Sequence, residues 1–271
     1  MNRYNICKKL GFTLIELSVV IIIIGLIIGS VLVGKDLVRS AEIRSTISQI
    51  EQYNSAVRTF QTKYNGIPGD LKYTDAAASG LYRITNAYVG YYGYGDGDGL
   101  VRNGSGAPGP NANMRLYGEP FMFWRHLGEA GLINGNYGAG LNTAAESGVV
   151  SSLEEVNKYI PAAKLTASTI AVGSPLDGRN YFLLIKMPTT TGVGAFGPST
   201  NPLTAQEAYN MDSKIDDGLP TTGVVFAVDG TGDFNGTTPW KTVSADSGCV
   251  ASSAYAITQT TQSCSLRFRF Q

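Results

Sequence analysis

The sequence predicts an α+β protein that begins with one long helix. An uncharged apolar run extends from Leu17 to Gly34, and apolar residues then recur at helical spacing as far as Tyr64. Segments with the apolar, β-branched character of strands begin only at Ser168, after two further helical segments. Helices that precede strands, without a regular βαβ alternation, indicate the α+β class.

The apolar run is long enough to cross a lipid bilayer. A membrane-spanning helix needs about 20 mainly apolar residues, and a helix satisfies its own backbone polar groups in hydrocarbon. Arg3, Lys8 and Lys9 precede the run, and basic residues are retained on the cytoplasmic side. The N-terminus is therefore predicted inside and the remaining chain outside, although Lys35 and Arg39 beyond the run weaken this asymmetry.

Glu16 lies within the apolar zone. A carboxylate near the centre of a membrane helix costs on the order of 2.5–3.5 kcal/mol, so an intramembrane acid is by default a functional residue. The alternative is a tolerated charge close enough to the helix end to reach the interface. An ordinary secretory signal is disfavoured because its apolar core is shorter and ends at an A-x-A-like site. Here the small residue at the charge boundary is Gly11, upstream of the apolar run.

The sequence Gly11-Phe12-Thr13-Leu14-Ile15-Glu16-Leu17, after a short basic leader, resembles the N-terminus of type IV prepilins and type II secretion pseudopilins. The resemblance implies that prepilin peptidase cleaves between Gly11 and Phe12 and N-methylates Phe12. It also implies that Glu16 pairs with the terminal amine of a neighbouring subunit during assembly. A carboxylate in hydrocarbon needs a partner, and a freed ammonium on the adjacent chain would supply one.

The resemblance also implies the domain organisation and location. Residues 1–11 would be the leader peptide, 12–34 the transmembrane half of the helix, 35–66 its extracytoplasmic half, and 67–271 a globular pilin-like head. The helix would pack on an antiparallel sheet. The protein would cross the bacterial inner membrane once, with a periplasmic head, and would join a periplasmic or extracellular filament. Its partners would be other pilin or pseudopilin subunits, the peptidase, the inner-membrane assembly platform and the lipid bilayer.

Beyond the membrane, the helix carries one apolar stripe with steps of three or four residues. The stripe comprises Ile43, Ile47, Ile50, Tyr53, Val57, Phe60 and Tyr64. Other faces are predicted to hold Glu42, Arg44, Gln49, Glu51 and Arg58. Asn65-Gly66-Ile67-Pro68 then provides a stop, with glycine after the last turn and proline just beyond.

The remaining chain reads as short elements joined by loops. Residues 71–114 and 189–202 are predicted loops, and Leu266–Phe270 alternates as an edge or half-exposed strand should. Predicted helices cover 119–132, 152–159 and 204–215, the last two beginning with capping boxes. Further strands are predicted at 168–173, 181–185 and 224–228.

The cysteines suggest an oxidising compartment. Cys7 lies in the predicted leader, and Cys249 and Cys264 remain as a pair near the C-terminus. An even pair is typical of a disulfide in a secreted protein, and such a disulfide resembles the C-terminal loop of many pilins. The alternative is two buried free thiols.

Two glycine-rich acidic segments are weak calcium candidates. Asp96 and Asp98 alternate with glycines, and Asp229, Asp233 and Asn235 carry oxygen ligands at nearly alternate positions. Neither segment meets the EF-hand spacing, and exposed turns use the same residue types. We therefore expect no cofactor, with Ca²⁺ as the one ion that these segments allow.

An enzyme is not predicted. The sequence has no G-x-S-x-G, H-E-x-x-H or P-loop motif, and its single histidine, His126, is read as a core or surface residue. The 21 basic and 21 acidic residues balance, so no nucleic-acid partner is expected.

The predicted function is therefore that of a structural subunit of a type IV pilus or type II secretion pseudopilus. The head is larger than that of a typical major pilin, which favours a minor or specialised subunit. A monomeric, membrane-anchored extracytoplasmic binding protein, using loops around Tyr91 and Thr189, is the alternative from another class. A DNA-uptake pilin is a third interpretation, but the basic residues are too scattered to support it.

Overall fold

The computed structural model describes residues 12–82, 95–102, 118–138, 156–175, 177–186, 201–228 and 248–270. The chain divides into two compact units, Met1–Glu42 and Ile43–Gln271. Helix α1, Leu14–Tyr64, begins in the first unit and ends in the second.

The first unit exposes an apolar helix surface. Every side chain from residue 12 to residue 31 is exposed, including the isoleucine block 21–24. By length and composition, α1 is the one helix among the described residues that is suited to crossing a membrane. An apolar helix without protein neighbours is stable in lipid rather than in water.

In the second unit, the predicted stripe of α1 faces the core. Ile43, Ile47, Ile50, Tyr53, Val57 and Phe60 are buried, and Tyr64 packs against them at the edge. Arg44, Glu51 and Arg58 are exposed, as predicted. The helical period thus determines correctly which side of α1 is covered by the head.

Gln49 does not belong to the exposed face, so that part of the prediction is wrong. Its amide is buried, and its Nε2 donates to the carbonyl oxygen of Ala162 and to the hydroxyl of Tyr53, each at 2.8 Å. Its Oε1 accepts from the backbone N–H of Lys164 at 2.9 Å. A buried amide is tolerated because these hydrogen bonds replace those with water.

Helix α1 ends at Tyr64, as predicted, but Asn65 rather than Gly66 adopts the left-handed conformation, with φ of 53°. Asparagine tolerates this region better than most residues. A short helix that the sequence reading treated as loop, α2 (Tyr73–Ala78), follows.

The head contains an antiparallel sheet. Its strands are β1 (Ser168–Gly173), β2 (Tyr181–Lys186), β3 (Leu203–Thr204), β4 (Val225–Val228) and β7 (Gln262–Arg269). The order is β1-β2-β7-β3, and β4 also pairs with β7. The Tyr53 ring of α1 lies 6.1 Å from the Phe182 ring of β2, so the helix packs on the sheet. This is the pilin-like α+β architecture that the sequence predicts.

Strand β7 is central, so the prediction of an edge or half-exposed strand was wrong. Leu266 pairs with Leu184 of β2 on one side and with Ala227 of β4 on the other. The misleading residue is Arg267, which is 7 % exposed. Its guanidinium lies 4.6 Å from the Tyr181 ring centroid and 4.8 Å from that of Phe226. The two aromatic rings therefore cover a charged group that the sequence pattern predicts to be exposed.

Helix α3, Glu119–Glu129, supplies the aromatic centre of the head. Trp124 is fully buried, with its ring centroid 5.0 Å from that of Tyr53 and 5.9 Å from that of Phe182. Phe121 and Leu127 are also buried, which confirms the predicted core face. Pro120 occupies the first turn, where its missing N–H leaves no bond unmade.

Helix α4, Ala205–Ile215, starts with the predicted capping box. The Glu207 N–H donates to Thr204 Oγ1, and the Thr204 N–H donates to a Glu207 carboxylate oxygen. The predicted helix at 152–159 and the loop at 189–202 lie mostly outside the described residues. Strands β5 (Val250–Ala251) and β6 (Ala254–Tyr255) form a small hairpin that was not predicted.

Candidate functional site

The start of α1 carries the candidate assembly residues. Phe12 is 81 % exposed, and Glu16 lies in the first turn of the helix. Gly11, on the other side of the predicted cleavage point, lies outside the described residues. The structure therefore shows the surroundings of Phe12 and Glu16.

Glu16 forms a reciprocal cap with Thr13. The backbone N–H and the hydroxyl of Thr13 both donate to Glu16 Oε2, each at 2.8 Å. In return, the Glu16 N–H donates to Thr13 Oγ1 at 3.3 Å. These contacts are those of a capping box, whose Thr-x-x-Glu spacing is visible in the sequence at residues 13–16. Sequence reasoning recognised this signal before α4 but not here.

The exposed apolar part of α1 has room for a neighbouring helix to pack closely against it. A Cβ atom added at Gly25, Gly29 or Gly34 would meet no described atom within 4 Å. Small residues of this kind let another helix backbone approach closely in a membrane. At each of these positions, α1 can therefore lie against lipid or against another helix.

A disulfide joins Cys249 and Cys264, whose Cα atoms are 5.0 Å apart. Both residues are fully buried. The bond connects the start of the small hairpin to the central strand β7, and it closes a 15-residue separation. The alternative of two free thiols does not hold in this structure.

Three acidic residues from distant parts of the sequence meet in the head. One oxygen from each of Asp70, Asp96 and Glu119 lies within 4.8 Å of the others. Asp70 accepts hydrogen bonds from the N–H groups of Gly97 and Gly99, each at 2.8 Å. The carboxylates are of the type that hard divalent cations prefer, but three protein oxygens are fewer than the six to eight ligands of Ca²⁺.

Burial controls the ionisation of this acidic cluster. It raises the pKa of Asp70 to about 6 and raises the pKa of Glu119 well above its usual value. Because the folded pKa of Asp70 exceeds its ordinary 3.8, the protonated carboxyl favours folding. That contribution is complete below about pH 4 and is lost as the pH rises through 6.

Of the two predicted calcium ligands that lie in the described part of the chain, one joins the cluster. Asp96 does, whereas Asp98 accepts from the Leu100 N–H at 2.8 Å and forms an ion pair with Arg102. Asp229, Asp233 and Asn235 lie outside the described residues. Asp70 and Glu119 were missed because no local spacing links them to the glycine-rich segment.

His126 is a buried core residue with both ring nitrogens engaged. Its Nδ1 accepts from the Gly69 N–H at 3.0 Å, so its Nε2 carries the proton and donates to the Tyr82 carbonyl at 2.9 Å. A Cβ at Gly69 would overlap the Glu119 carbonyl oxygen, which is why this contact needs glycine. Burial lowers the pKa of His126, so the histidine stabilises the fold above pH 6.5 and loses that contribution as the pH falls.

The comparison with protein families gives one match. The family described as the prokaryotic N-terminal methylation motif matches residues 6–32. This range contains Gly11, Phe12 and Glu16, and the chain therefore carries a prepilin-type N-terminus. Neither a curated protein nor a solved structure matches the chain. The motif overlaps the exposed apolar start of α1, the helix that is suited by length and composition to crossing a membrane.

Proposed function

We propose that the chain is a structural subunit of a type IV pilus or a type II secretion pseudopilus. The observation that carries this proposal is a lone carboxylate, Glu16, at the start of an exposed apolar helix that bears the methylation motif. Such a helix has two environments that cover its surface, the lipid bilayer and a bundle of identical helices.

The proposed mechanism is assembly rather than catalysis. Prepilin peptidase removes residues 1–11 at the cytoplasmic face and methylates the new terminal residue, Phe12. The ammonium group of Phe12 then pairs with Glu16 of a neighbouring subunit, which compensates a charge that hydrocarbon disfavours. Contacts between α1 helices hold the filament, while the heads cover its surface.

The location and the partners follow from this mechanism. Residues 12–34 cross the bacterial inner membrane, residues 35–66 continue the helix outside it, and residues 67–271 form a periplasmic head. The partners are other pilin or pseudopilin subunits, the peptidase, the inner-membrane assembly platform and the bilayer. The size of the head supports a minor or specialised subunit. The Cys249–Cys264 disulfide is consistent with an oxidising compartment.

The test compares two glutamates on the same helix. Glu16→Ala should lower incorporation into sheared filaments by more than about 100-fold, because it leaves the neighbouring ammonium without a partner in hydrocarbon. Glu51→Ala is the matched control, since Glu51 is exposed and lies beyond the membrane segment. Equal incorporation of Glu16→Ala and the wild type would refute the assembly role.

The intact mass of the purified protein separates this proposal from its rival. A mature chain that begins with N-methylated Phe12 supports the filament subunit. A chain that retains residues 1–11 and is never found in a filament would instead favour a monomeric, membrane-anchored binding protein. The loops around Tyr91 and Thr189, which that rival would use, lie outside the described residues.

A further inference from the structure

The capping box at the start of α1 engages one side of the Glu16 carboxylate. Both donors of Thr13, its N–H and its hydroxyl, converge on Oε2 at 2.8 Å. In the described part of the chain, the other oxygen, Oε1, accepts no hydrogen bond. The carboxylate is therefore held on one side and open on the other.

This arrangement does not depend on the leader. Cleavage between Gly11 and Phe12 leaves the Phe12–Thr13 peptide bond intact, so the N–H of Thr13 remains an amide donor in the mature chain. The Thr13 hydroxyl and the Glu16 N–H are likewise unchanged. The same three hydrogen bonds are available before and after processing.

We propose that Thr13 is a positioning residue for assembly, one that holds Glu16 Oε2 within the subunit and leaves Oε1 for the ammonium of the neighbour. This inference rests on the proposed function. Thr13 acts through Glu16 and contacts no reacting group of the partner. Before assembly, while the subunit lies in the bilayer, Thr13 donates hydrogen bonds to the Glu16 carboxylate, because no water is present there to donate them.

The physical benefit is preorganisation. A glutamate side chain has several freely rotating bonds, and fixing them at the moment of docking opposes association. Without Thr13, the Glu16 carboxylate would extend toward the polar headgroups, as long charged side chains do near a membrane interface. With Thr13, it is already fixed in the first turn of the helix, close to the new N-terminus.

Variants of Thr13 separate the hydroxyl from the shape of the side chain. Thr13→Val keeps the shape but removes the hydroxyl, and Thr13→Ser keeps the hydroxyl. We expect Thr13→Val to reduce the filament fraction of the processed protein about five- to tenfold, and Thr13→Ser to restore it to near the wild-type level. Equal filament fractions for Thr13→Val and the wild type, or equal losses for the two variants, would overturn the role of the hydroxyl.

Glu16→Ala distinguishes this inference from the proposed function. If Glu16→Ala blocks assembly and Thr13→Val does not, the filament role stands and the positioning role fails. If Glu16→Ala also assembles normally, both fail.

A spectroscopic measurement tests the positioning role even where the peptidase does not cleave a variant. In full-length, uncleaved protein in detergent micelles, the ¹³C resonance of the Glu16 carboxyl should shift in Thr13→Val and return in Thr13→Ser. Helix formation alone would not produce this pattern, because the bilayer-mimicking environment maintains the helix in all three proteins. An unchanged resonance in Thr13→Val would contradict the proposal whatever the fate of the leader.

Discussion

Replacing Gln49 by leucine tests how α1 is fixed to the head. The substitution removes three hydrogen bonds, those to Ala162, Tyr53 and Lys164. Each contributes about 0.5–1.5 kcal/mol net, and the leucine regains part of this by burial. We expect a loss of about 2–3 kcal/mol in the free energy of unfolding. For a unit of this size, this corresponds to a melting temperature lowered by roughly 5–10 °C.

The assay is thermal unfolding of the full chain in detergent micelles, followed by near-UV circular dichroism of the aromatic core around Trp124. Gln52→Leu is the matched control because Gln52 lies on the exposed face of the same helix, and it should change stability by less than about 0.5 kcal/mol. If Gln49→Leu and Gln52→Leu melt together with the wild type, the buried amide does not anchor the helix.

Three further predictions concern the head. Replacing both cysteines, Cys249 and Cys264, by serine should lower the free energy of unfolding by about 3 kcal/mol for a loop of this length. Chemical denaturation measures this change, and an unchanged midpoint would contradict the prediction. Asp70→Asn should weaken the loss of stability that we expect of the wild type between about pH 4 and 6; melting at several pH values tests this, and parallel curves would count against it. His126→Phe should lower stability at pH 7.5 by about 1–3 kcal/mol. It should also flatten the decline below pH 6.5; an undiminished decline would exclude His126 as its source.

The elements that sequence reasoning predicted correctly are those with strong local signals. The stripe from Ile43 to Phe60, the capping box at Thr204 and the apolar run at Tyr181 each depend on neighbours within one element. Period and capping chemistry are local properties, so one sequence reveals them. The boundaries of α1 and α4 follow from the same signals.

Three of the errors arise where distant residues meet. The sequence pattern predicts that Gln49 is exposed, because it does not show that the backbone of residues 162–164 forms hydrogen bonds with the side-chain amide. Arg267 makes β7 appear half-exposed because the sequence does not show the rings of Tyr181 and Phe226. The acidic cluster at Asp70 is invisible for the same reason. In each case, tertiary contacts stabilise a buried polar group that the local sequence pattern predicts to be exposed.

The placement of β7 has a consequence for how the head is made. This strand follows β2, β3 and β4 in the sequence, and all three pair with it. Synthesis proceeds from the N-terminus, so α1 and strands β2, β3 and β4 are made before the strand that joins these three strands in the sheet. The sheet of the head can therefore close only after residues 262–269 have been synthesised.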